Sequence, residues 1–139
     1  MATETENNPP NPEGANTDGA DDLGQPTPEA LARLAVDVGS DKLASDILML
    51  DISEVSNFAD YFVIASVHSA RQLGALAEDL EEALEDAGAQ KLRREGGPQS
   101  GWVVVDFGDV VIHLFGVEER DYYNLAGAWP GASEVVRIQ

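Results

Sequence analysis

The sequence predicts a mixed α/β (α+β) domain, a five-stranded sheet packed with helices, on three observations. Two segments, Pro28 to about Val38 and Ser69 to Ala87, repeat apolar residues with helical period. Five others, spanning 44–52, 60–67, 90–95, 102–106 and 109–115, are short, bounded by turn residues and mostly rich in β-branched or aromatic residues. The helix between the second and third strands permits a parallel crossover, whereas Phe107-Gly108 joins the last two as an antiparallel hairpin.

The chain has 139 residues, enough for one domain. Residues 1–27 hold six acids, no base and Pro9, Pro10, Pro12 and Pro26. Leu23 is their one large aliphatic residue after Met1, too little apolar surface to offset ordering entropy. They are expected to be a disordered acidic tail, and 28–139 the folded domain.

In the domain, Leu31, Leu34, Ala35 and Val38 share a helix face, Pro28 fits the first turn, and Gly39-Ser40-Asp41 is expected to end it. Ile47-Leu48-Met49-Leu50 reads as a strand buried on both faces. In the second helix Ser69 and Gln72 have capping-box spacing. Leu73, Leu76, Ala77, Leu80, Leu84 and Ala87 form its apolar stripe, opposite a face of six acids between Glu78 and Asp86. Glu118 to about Ala126 reads as a short helix, after which Trp129 and Val135-Val136-Arg137-Ile138 close the domain.

The hairpin is the most informative segment. With Phe107-Gly108 as its turn, Asp106 faces Asp109 and Trp102 faces His113. Alternation then puts Val103, Val105, Val110, Ile112 and Leu114 on a uniform core face. Trp102, Val104, Asp106, Asp109, Val111, His113 and Phe115 share the other, which is too apolar for a solvent face and too acidic for a core. Either a helix covers its Trp102 end and only the carboxylates reach water, or it is a docking patch with a tryptophan anchor.

Several function classes are excluded or disfavoured. No cysteine means no disulfide, thiolate zinc site or cysteine nucleophile. With only His68 and His113, no histidine-built metal site is expected, and no cofactor is implied. There is no glycine-rich phosphate loop and no serine in nucleophile-elbow spacing. Asp46 and Asp51, five apart, are expected on opposite faces of a strand, unable to share a metal. An enzyme would have to use Asp60, Asp106 and Asp109, as a divergent metal-dependent nucleotidyltransferase or hydrolase. No apolar run approaches the ~20 residues that span a bilayer, and no base precedes Arg33, so a soluble cytoplasmic protein without a targeting peptide is expected. The 26 acids against 8 bases give a net charge of −18, which repels nucleic-acid phosphates and steers a basic partner inward.

Three stretches carry a resemblance. They are Ala59-Asp60-Tyr61-Phe62-Val63-Ile64-Ala65-Ser66 with Ser69 and Arg71-Gln72; Glu95-Gly96 with the run Gly101 to Phe115; and Glu119-Arg120-Asp121-Tyr122-Tyr123-Asn124-Leu125 with Trp129. In order and spacing, from about Leu31 to Trp129, the chain resembles the ribosomal silencing factor, or Iojap-like, family. Ala126-Gly127-Ala128 stands where the family usually has a Glu before the Trp. The resemblance implies a nucleotidyltransferase-like fold without catalytic residues. It implies binding to the large ribosomal subunit through a basic protein, the fourteenth of the large-subunit series, which blocks small-subunit joining and represses translation. Some members act in large-subunit assembly, and many form homodimers, so a homodimer stays open. On this reading Trp102 is the apolar anchor beside Val104, Asp106 partners a Lys or Arg, Tyr122 and Tyr123 flank the contact, and His113 orients Trp102.

Overall fold

The computed structural model describes residues 26–139 except Asn124, and no side chain from 121 to 126. The expected tail, up to residue 25, lies outside the described residues. Thr27, counted with that tail in the sequence reading, belongs to the first helix. Its hydroxyl accepts from Ala30 N at 3.1 Å and caps α1, Pro28–Asp41.

The helix runs through Gly39-Ser40-Asp41, where the sequence suggested its end. Lys42 N donates to Val38 O and Ala44 N to Gly39 O, and the turn closes on Leu43, whose φ is +64°. The chain continues through β1 (Ser45–Asp51), β2 (Tyr61–Val67), α2 (Ala70–Asp86), β3 (Arg93–Gly97), β4 (Trp102–Asp106), β5 (Val110–Gly116), α3 (Val117–Tyr123) and β6 (Ser133–Ile138). One-turn 3₁₀ segments at Pro98–Ser100 and Leu125–Ala128 join β3 to β4 and follow α3. Ser69 caps α2 by accepting from Gln72 N at 3.0 Å.

Among the described residues the sheet has six strands rather than five, in the order β3-β4-β5-β2-β1-β6. The sixth is the Val135–Ile138 segment, which pairs antiparallel with β1. Only β2 and β5 pair in parallel. The alternating side chains of this sheet build two cores. Ile47, Met49, Val63, Ala65, Val103, Val105, Ile112 and Leu114 face α1 and α2, where Ala32, Ala35, Leu73, Leu76, Leu80 and Leu84 meet them. Leu48, Leu50, Phe62, Ile64, Val111 and Phe115 face the other way, joined by partly buried Trp102, Val104 and Trp129.

The hairpin register differs from the expected one. Phe107 N donates to Val110 O, so the two turn residues are Gly108 and Asp109, with Gly108 at φ +88°. Only glycine takes that conformation without strain. Trp102 therefore pairs with Phe115, Val104 with His113 and Asp106 with Val111. Moving the turn by one residue changes the pairing by two, so every strand residue keeps its expected face and only Asp109 leaves it.

Candidate docking face

The face opposite α1 and α2 carries an unbroken series of rings. Trp102 stacks on Phe115 with centroids 5.1 Å apart, and lies 6.2 Å from His113. His113 meets Phe62 edge-on at 4.7 Å, Phe62 meets Trp129 at 5.3 Å, and Trp129 meets Phe58 at 5.6 Å. These near-perpendicular and offset geometries suit the ring quadrupoles. The centre of the series is dry and its ends are not. Phe115 and Phe62 are buried, Trp102 and Trp129 are half-buried, and Phe58 is 60% exposed.

Trp102 opens β4 beside a shallow hollow of about 300 Å³ lined by Glu95, Gly96, Ser100, Trp102 and Val104. Gly96 makes the hollow's wall. Its φ is +80°, and a Cβ there would overlap the Trp102 carbonyl oxygen, so no other residue lets β3 lie against β4 in this way. Val104 is half-buried on the same face. At the turn, Asp106 is engaged within the chain. It accepts from Gly108 N at 2.8 Å and pairs with Arg93 Nε at 3.4 Å, while Arg93 also reaches Glu95 at 2.9 Å. Its carboxylate stays partly exposed beside that guanidinium.

His113 is only 7% exposed and cannot offer a broad surface to a partner. Burial disfavours its imidazolium and pushes its pKa down to about 4, against a smaller opposing pull from Asp106. The ring is therefore neutral near pH 7. Its Nδ1 accepts from Trp102 Nε1 at 3.4 Å, which assigns the proton to Nε2. Nε2 has no hydrogen-bond partner among the described residues. His113 thus touches Trp102 through both packing and a hydrogen bond. The backbone of Tyr122 and Tyr123 closes α3, and their side chains lie outside the described residues. In the last turn of that helix Arg120 donates to buried Ser66 Oγ at 2.7 Å, tying α3 to the sheet beside Phe115.

The carboxylates of the enzyme alternative do not assemble. Among the described residues no three His, Cys, Asp or Glu side chains could hold a metal. Asp60 meets the Asp109 segment through its backbone N–H, which donates to Asp109 O at 2.8 Å. A register irregularity between Ser45 and Leu48, with Asp46 at φ +49°, interrupts the alternation used to separate Asp46 from Asp51. Asp51 is occupied by Ser53, whose N and Oγ donate to it at 2.9 and 2.6 Å. Among the described residues no helix is long and apolar enough to cross a membrane. Phe58 is absent from the residues singled out in the sequence. Its signal there is a lone aromatic at the end of the loop 53–57.

Residues 25–139 match the family described as "Ribosomal silencing factor during starvation". A ribosomal silencing factor of Bacillus subtilis is 39% identical over 104 residues, 75% of this chain and 88% of that one. The mouse protein named for mitochondrial assembly of the ribosomal large subunit is 34% identical over 89 residues, 62% of this chain and 39% of its own length. The crystal structure of a Chromobacterium violaceum protein superposes with a TM-score of 0.73 at 33% identity, covering 76% of this chain and 88% of that one. The match spans both cores and the ring-bearing face, and the chain belongs to the ribosomal silencing factor family.

Proposed function

We propose that this protein is a ribosome-associated translation silencer, a regulator rather than an enzyme. It binds the large subunit in the cytoplasm through the basic ribosomal protein that the family resemblance names, the fourteenth of that subunit's series. Bound there, it blocks association with the small subunit. The observation that carries this reading is the half-buried Trp102 beside an open hollow, on the sheet face that α1 and α2 leave uncovered. An aromatic anchor at a partly dry patch is the usual centre of a protein interface. The net charge of −18 supports a basic partner and opposes direct contact with rRNA. Asp106 contributes to that field, with Arg93 muting it at close range.

Co-sedimentation with purified large subunits tests the reading. The protein is expected to pellet with large subunits, not with small ones, and to slow subunit joining in a light-scattering assay. Failure to pellet overturns it. The name of the mouse relative favours a second reading, a large-subunit assembly role. Pelleting without any effect on joining would favour that role over silencing.

A further inference from the structure

Among the described residues the ring series on the open face has two ends that reach water, and half-buried Trp102 accounts for only one. At the other, Phe58 is 60% exposed and rests on Phe62 and Trp129 with centroids 6.2 and 5.6 Å away. No other aromatic stands among the large hydrophobic residues exposed in the described chain. Val55, from the same loop, is also exposed and lies against Gly131, just past Trp129. The loop and its flanks carry Asp51, Glu54 and Asp60 and no base. On neighbouring β6, Glu134 and Arg137 neutralise each other through two hydrogen bonds of 3.1 Å. Phe58 is therefore an exposed ring with an acidic rim.

We propose that Phe58 is a second anchor of the docking face, receiving an apolar side chain flanked by Lys or Arg from the same basic ribosomal protein that meets Trp102. This rests on the reading above, and it lengthens the contact from one edge of the ring series to the other. Charge selects the occupant. A second copy seated on Phe58 would set an identical acidic rim against this one, whatever other surface a homodimer uses. Residues 1–25 hold six acids and no base, and an rRNA backbone is a polyanion. A basic protein surface with an apolar side chain satisfies both ring and rim.

A benzophenone-bearing phenylalanine placed at position 58, and separately at position 102, tests this on purified large subunits. Both positions are expected to cross-link to the same basic ribosomal protein. Phe58→Ala should weaken large-subunit binding about tenfold or more at a temperature where it stays folded, as for an interface hot spot. Phe58→Tyr should bind within about twofold of wild type, because the ring persists. If Phe58→Ala does not fold, the cross-links decide, since they keep a ring at the site. A cross-link from position 102, with none from 58 or with 58 captured by rRNA or by a second copy, overturns the second anchor and leaves the Trp102 reading standing. Failure at both positions overturns both.

Discussion

The two faces of the sheet are built from different side chains under different cover. Toward α1 and α2 the contacts are mostly aliphatic and alanine-rich, with a dry centre and partly buried residues such as Leu31, Leu34 and Tyr61 at the edge. On the far side the sheet presents rings as well as aliphatics, and the outer members of the series keep part of their surface in water. A face closed by two amphipathic helices has nothing left to offer a partner. A face of the same sheet with half-covered rings holds apolar area in reserve for association. Substitutions should therefore separate into two classes, those that cost stability and those that cost binding.

The largest expected effect is on the closed face. Leu80→Ala, at a position 1% exposed in the middle of α2, should destabilise the fold by about 3 kcal/mol in chemical denaturation. The folded fraction should bind large subunits with wild-type affinity. Weakened binding by folded Leu80→Ala would break the separation.

His113 belongs to the open face but is buried like a core residue, so it sharpens the comparison through pH. Its folded pKa of about 4 lies below its ordinary 6.5 because burial penalises the charged ring. Between those values the unfolded chain takes up a proton that the folded one refuses. The contribution of His113 is thus present in full above about pH 6.5 and falls away as pH drops toward 4, a loss of about 3 kcal/mol. His113→Gln should remove that part of the slope when denaturation is followed between about pH 7 and pH 4. An unchanged slope would mean that water reaches the centre of the open face.

Two truncations give the smallest effects, and they concern the closed face. Removing residues 1–25 should leave stability within about 0.5 kcal/mol of wild type, because six acids and little apolar surface contribute no core. Removing residues 1–27 should cost about 1 kcal/mol, because Thr27 caps α1. Equal melting curves for the two would show that the cap contributes nothing.

Much of this contrast is legible in the sequence because strand alternation has period two. The division of Val103, Val105, Ile112 and Leu114 from Trp102, Val104, Val111, His113 and Phe115 needs only that period. The register needs the turn as well. Phe107-Gly108 and Gly108-Asp109 differ by one residue in the chain, and the hydrogen bond from Phe107 to Val110 decides between them. The 135–138 segment stands out in the sequence as closing the domain but not as a strand, because β6 is mostly exposed and Val136 is its one residue packed against the core among the described residues. The engagement of Asp106 with Gly108 and Arg93 is partly legible, since a turn aspartate commonly caps the backbone two residues on. Its pairing with Arg93 depends on β3 lying beside β4, which no local pattern fixes. Phe58 joins the face through ring contacts with residues distant in the chain, notably Trp129.

The central claim is that the open face docks on the large subunit through Trp102. The most direct measurement is the affinity of Trp102→Ala for purified large subunits, taken where its denaturation curve shows it folded. Loss of a hot-spot tryptophan should weaken binding by about 2 kcal/mol, roughly thirtyfold, with a smaller change in stability. A folded Trp102→Ala protein that binds as tightly as wild type would contradict the claim.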